Sequence, residues 1–132
     1  MGNMQLMIVD DEERFLTTTQ SLFKKKGINT FTATNGYDAI NIVEKEHVDV
    51  VILDVRMPGL DGLEALRVIK KTHPLVEVII LTGYASPETA AEALSLGAFD
   101  YLVKPCDVST LLKKANEAYD KKKDAETNYP GK

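Results

Sequence analysis

The chain of 132 residues has a single cysteine, Cys106, so no internal disulfide can form. Disulfide-dense secreted scaffolds are thereby excluded, and the cytoplasm is the expected location. No apolar run approaches the roughly 20 residues of a membrane span. The N-terminus lacks the basic stretch followed by an apolar one that marks a signal peptide. Met1-Gly2 opens as a myristoylation site does, but Leu6 stands where Ser or Thr is required. A basic excess is missing as well. The chain carries 16 Lys+Arg against 20 Asp+Glu, a formal net charge of -4, which argues against direct nucleic-acid binding. No Gly-x-Gly-x-x-Gly or Walker sequence occurs, so the usual phosphate-cradling loops are absent.

What is present is a regular alternation. The 44% hydrophobic content suffices for one core, and the length fits one domain. Met4 to Val9 is a short apolar run that stops at four acids and reads as a buried strand. From Glu13 to Lys25, residues Phe15, Leu16, Thr19, Leu22 and Phe23 line one helical face, and Gly27 stands where a helix stops. Four further strand-helix pairs follow. Ile28 to Ala33 leads, through Asn35-Gly36, into a helix with Ala39, Ile40 and Val43 inward. Val48 to Leu53 leads, through the turn signal Met57-Pro58-Gly59, into one marked by Leu63, Leu66 and Ile69. Val76 to Leu81 precedes a helix opened by Pro87 and closed by Gly97. Phe99 to Val103 precedes a stripe of Val108, Leu111, Leu112, Ala115, Ala118 and Tyr119. Apolar strands alternating with helices predict an α/β fold, a five-stranded parallel sheet covered on both faces as a three-layer sandwich. The domain is expected over residues 4–120. From Lys121 to Lys132 the chain turns polar and reads as a frayed tail or the start of a linker.

Ligands of such a sheet bind beyond the carboxyl ends of its strands. Asp10-Asp11-Glu12-Glu13 follow the first strand, Asp54 the third, Thr82-Gly83 the fourth and Lys104-Pro105 the fifth. Acids gathered at one edge cannot all stay ionised unaided, and a divalent cation is the usual help. Mg²⁺ takes oxygen ligands, keeps several waters and can still accept phosphate oxygens. The alternative is that Asp10 or Asp11 merely caps the first helix. Asp54 alone would be a turn residue; beside a metal it is a candidate carboxylate nucleophile, with an aspartyl phosphate as product. Lys104 and the Thr82 hydroxyl would then each meet a phosphoryl oxygen.

Four motifs carry a family resemblance. Val9-Asp10-Asp11-Glu12, the run from Leu53 through Asp54 to Gly62, Leu81-Thr82-Gly83-Tyr84 and the run from Gly97 through Tyr101 to Pro105 resemble the receiver domains of bacterial two-component response regulators. The resemblance covers roughly residues 4–120 and implies a flavodoxin-like (βα)5 fold with strand order 2-1-3-4-5. It implies Asp54 as phosphoacceptor, with Asp11, Asp54 and the backbone carbonyl of Arg56 holding Mg²⁺ (or Mn²⁺) and Asp10 acting through water. It also implies Thr82 and Lys104 as the phosphoryl-binding pair, Tyr101 as an aromatic switch and a cis Lys104-Pro105 bond. The implied donor is a phosphohistidine on a sensor histidine kinase or phosphotransfer protein, and the signalling face is that of the fourth helix, fifth strand and fifth helix. The resemblance further implies that the chain catalyses only its own phosphorylation and dephosphorylation. Arg56 and Tyr84 are expected to flank the phosphoryl group and govern water access.

Two rivals are weaker. A phosphatase of the haloacid-dehalogenase type resembles a pattern of two alternating aspartates after its first strand; here Asp10 and Asp11 are adjacent, and the candidate nucleophile follows the third strand. A flavin or dinucleotide carrier needs a phosphate loop where this chain has acids. An output domain or protein target, and a homodimer through Ala90, Ala91, Ala93 and Leu94, remain open as partners.

Overall fold

The computed structural model describes residues 3–57 and 59–128. Met1-Gly2 of the acylation motif, Pro58 of the expected turn and residues 129–132 lie outside the described residues. Five strands alternate with five helices: β1 (Gln5–Val9), α1 (Glu13–Lys25), β2 (Asn29–Ala33), α2 (Gly36–Lys45), β3 (Val50–Leu53), α3 (Gly62–Thr72), β4 (Glu77–Thr82), α4 (Pro87–Ser95), β5 (Asp100–Val103) and α5 (Val108–Asn128). The strands form one parallel sheet in the order β2-β1-β3-β4-β5. This is the flavodoxin-like arrangement expected from the sequence.

The central strands are apolar throughout because both of their faces are covered. Met7, Val9, Val51, Leu53, Val78 and Ile80 point to one side, against Ala39 and Val43 of α2, Leu66 and Ile69 of α3 and Ala93 of α4. Leu6, Ile8, Val50, Ile52, Ile79 and Leu81 point to the other, against Leu16 and Phe23 of α1 and Leu111, Ala115 and Ala118 of α5. Local signals set the helix boundaries. The side chains of Asn35, Asp61 and Ser86 cap α2, α3 and α4, accepting from the N–H of Asp38, Glu64 and Thr89. Pro87 opens α4, and Gly97 follows its end with φ +105°.

The polar stretch from Lys121, expected as a frayed tail or the start of a linker, is helical over its described residues: α5 continues to Asn128. Its composition hides a buried anchor. Lys122 is 4% exposed and sits 2.9 Å from Asp49, itself 3% exposed, just ahead of β3. Lys122 also pairs with Glu126 one turn on, at 2.5 Å. The neighbouring Lys121 approaches buried Glu77 of β4 at 3.7 Å. Two adjacent lysines of α5 thus reach the amino-terminal edge of the sheet, opposite the edge where the acids gather.

Candidate functional site

The strand order places β1 beside β3 at the centre of the sheet, with α1 on one face and α2 and α3 on the other. That reversal opens a crevice at the carboxyl ends of β1 and β3, where open α/β sheets bind ligands. Asp10 and Asp11 follow β1 and Asp54 follows β3 at the same level, with the Asp54 N–H donating to the Val9 carbonyl at 3.0 Å. One carboxylate oxygen from each of Asp10, Asp11 and Asp54 lies within 4.8 Å of the other two. Asp10 and Asp54 are buried and Asp11 is exposed. Three hard oxygen donors, one open to solvent, suit a Mg²⁺ ion that keeps several waters. The capping alternative does not hold for α1. Its N-cap is Glu12, without a side-chain cap bond, and Asp10 Oδ1 instead accepts from the Glu12 N–H at 2.9 Å.

Lys104 closes the cluster from β5. Its Nζ is 2.5 Å from Asp10 Oδ2 and 3.6 Å from Asp54 Oδ2. The Lys104-Pro105 bond is cis, as expected. Burial works against the ammonium. The hydrogen bond to Asp10 and the charges of Asp10, Asp54 and Glu12 outweigh it and hold the Lys104 pKa above the ordinary lysine value. The lysine therefore stays charged at neutral pH.

Thr82, fully buried at the end of β4, accepts from the Tyr84 N–H at 3.1 Å, which leaves its hydroxyl proton free to donate. Arg56 lies past Asp54; its N–H donates to Asp54 Oδ1 at 3.3 Å. Its guanidinium stacks over the Tyr84 ring at 4.3 Å, so the two expected flanking residues meet each other across the mouth. Asp11, Val55, Arg56, Met57, Asp61 and Tyr84 line an open cavity of about 510 Å³ beside Asp54. Tyr101 is not part of this pocket. Its ring packs against the core on the α3 and α4 side, and its hydroxyl is buried with no hydrogen-bond partner among the described residues. Cys106 is half-buried; burial first, then the Asp107 charge, pushes its thiol pKa up, which fits an inert neighbour of the site.

Two contributors escaped the sequence reading. Gly62, the first residue of α3, is one: a Cβ there would lie 2.0 Å from the Asp54 carbonyl oxygen and 2.7 Å from Val55 Cα. Only glycine lets α3 begin against the backbone that carries Asp54. The Gly59-Leu60-Asp61-Gly62 run carries that signal, but nothing in it tells which glycine meets the acid. Phe15, assigned to the core stripe of α1, is the second: its ring faces the Lys104 ammonium.

Fold and site together define a small parallel α/β domain with an acidic, lysine-closed crevice at its topological switch point. The family model of the response regulator receiver domain matches residues 6–116, and the chain belongs to that family. Among curated relatives, the regulatory protein AtoC of Escherichia coli is 41% identical over 107 residues, covering 81% of this chain and 23% of AtoC. Sporulation initiation phosphotransferase F of Bacillus subtilis is 38% identical over 111 residues, covering 84% of this chain and 90% of that protein. The chain thus spans about a quarter of AtoC but matches nearly all of the phosphotransferase. A solved CheY-like receiver domain from Methanospirillum hungatei superposes with a TM-score of 0.90 at 28% identity, covering 93% of this chain and 98% of that one.

Proposed function

We propose that this chain is a Mg²⁺-dependent phosphorylation switch whose acceptor is Asp54. The observation that carries the reading is the placement of Asp54: buried, one of three clustered carboxylates, with the Lys104 ammonium 3.6 Å away. Asp11, Asp54 and the Arg56 backbone carbonyl would hold Mg²⁺ or Mn²⁺, with Asp10 acting through water. When bound, the ion offsets charge on the phosphoryl oxygens. An Asp54 carboxylate oxygen attacks the phosphorus of a phosphohistidine on a sensor kinase or phosphotransfer protein. The P–N bond breaks with its electron pair going to the imidazole, and the acyl phosphate forms on Asp54. Lys104 pairs with one phosphoryl oxygen, and the Thr82 hydroxyl donates to another. Later attack of water on the same phosphorus resets the site, so each chain is modified and restored rather than turning over outside substrates.

The signal would pass from Thr82 to Tyr101 and the α4–β5–α5 face. An unpaired buried hydroxyl costs about 1–3 kcal/mol, and the Tyr101 hydroxyl has no partner among the described residues, which offsets part of what its ring gains by packing on the core. This supports a population shift between two states of that face. The match to a phosphotransferase supports a phosphate relay as one setting. The partial match to AtoC supports a receiver joined to an output domain. Both settings are cytoplasmic.

The test is a phosphorylation assay. With Mg²⁺ and a small phosphodonor the protein should gain one phosphoryl group, and a chelator should prevent it. Sustained hydrolysis of a generic phosphomonoester would instead favour the phosphatase reading. The Arg56–Tyr84 stack leads to a second expectation. Tyr84→Ala should speed phosphate loss a few-fold by opening the mouth to water, followed as decay of the phosphorylated mass. Loss at the wild-type rate or slower would remove Tyr84 from this role.

A further inference from the structure

Two cations stand at this site, and each rests on an aromatic face. Arg56 lies on Tyr84 at the rim. Lys104 lies on Phe15, its Nζ 4.6 Å from the ring centroid. Phe15 occupies the first turn of α1, half-buried against the core that α1 and α5 share. A stripe residue whose only task was to fill the core would not need to face a charge. We infer that Phe15 is a positioning residue for Lys104, an uncharged seat that holds the ammonium over the acceptor while leaving its N–H groups to oxygens. The inference rests on the phosphoacceptor reading for its function, though not for its geometry.

The chemistry favours a ring at this place. Lys104 is already drawn to Asp10 at 2.5 Å and to Asp54 at 3.6 Å. Another carboxylate beneath it would trap the lysine and add charge where a dianionic phosphoryl group must enter. An aliphatic side chain would exclude water without attracting the cation. An aromatic face does both, and its pull on a cation is broad in direction. The ammonium can therefore turn from a carboxylate oxygen to a phosphoryl oxygen without leaving its seat. Asp10 follows β1 and Phe15 lies in the first turn of α1, so one short stretch of chain sets both against Lys104. Lys104 in turn is held from the far edge by its backbone N–H, which donates to the Thr82 carbonyl at 2.9 Å.

The test uses Phe15→Leu, which keeps apolar bulk, and Phe15→Tyr, which keeps the face. In the unphosphorylated protein, the ε-methylene resonances of Lys104, assigned by their loss in Lys104→Gln, should be shifted upfield by the ring. Phe15→Leu should abolish that shift and Phe15→Tyr should keep it. In Mg²⁺ with a small phosphodonor, Phe15→Leu should slow phosphorylation about two- to fivefold, the range of one cation–π contact, and Phe15→Tyr should stay near wild type. Unchanged Lys104 resonances in Phe15→Leu would overturn the inference. So would equal slowing in Phe15→Leu and Phe15→Tyr, the mark of a packing defect. If the wild-type protein takes no phosphoryl group, the functional reading fails, while the resonances still decide whether Phe15 positions Lys104.

Discussion

Replacing Gly62 by alanine is expected to destabilise the domain by about 3 kcal/mol or more. The new methyl group would stand 2.0 Å from the Asp54 carbonyl oxygen, 2.7 Å from Val55 Cα and 2.8 Å from the Asp54 carbonyl carbon. All three are backbone atoms, so no side chain can swing aside. The opposing gain is small: alanine over glycine is worth about 1 kcal/mol in a helix interior, and Gly62 is only the first residue of α3. The Gly62 N–H also donates to the Val55 carbonyl at 2.8 Å, so relief means parting α3 from the loop that carries Asp54. Urea unfolding measures the loss, and Mg²⁺-dependent phosphorylation should fall with it. A Gly62→Ala protein within about 0.5 kcal/mol of wild type, the scale of an ordinary surface change, would show that the close approach is not required.

At the opposite edge, Lys122→Met is expected to cost about 3 kcal/mol. Methionine fills the lysine's space but leaves Asp49 as a buried carboxylate without its ammonium partner. Burial disfavours the charge of Lys122. Its hydrogen bonds to Glu126 and Asp49, with their charges, more than restore it and raise the pKa above the ordinary value. Lys122 is therefore charged at neutral pH. The effect should sit at the low end for such breaks because Asp49 keeps two contacts, the Gln5 N–H at 2.8 Å and His47 at 3.0 Å. Combining Asp49→Asn with Lys122→Met should recover much of the stability, since neutral replacements of a buried pair are often tolerated. Urea midpoints of the single and double variants measure this. A loss below 0.5 kcal/mol in Lys122→Met would mean that the last turns of α5 are held by other contacts.

These two residues mark where the sequence stopped being legible. The strand ends could be read because an apolar run that halts at an acid, a threonine or a lysine states both the strand and its ligand edge. The helical stripes could be read because both faces of the sheet had to be covered. Lys122 could not: three consecutive lysines look solvated, and the acid that buries one of them lies 73 positions earlier (122 minus 49), inside a run that reads as strand. Phe15 could not, because a stripe gives the side of a helix but not which stripe residue, near its end, meets the site. Gly62 stood within a quoted motif, yet its reason is a backbone approach that no pattern of side chains encodes. The Arg56–Tyr84 stack was half visible. Each residue was placed at the mouth by its offset from Asp54 or Thr82, but their contact with each other needed coordinates.

The most direct measurement is the intact mass of wild type and Asp54→Asn after incubation with Mg²⁺ and a small phosphodonor, each with a chelator control. The expected result is one phosphoryl adduct on wild type, lost on chelation and missing from Asp54→Asn. No adduct on wild type in Mg²⁺, or an adduct of equal extent on Asp54→Asn, would contradict the assignment of Asp54 as the acceptor.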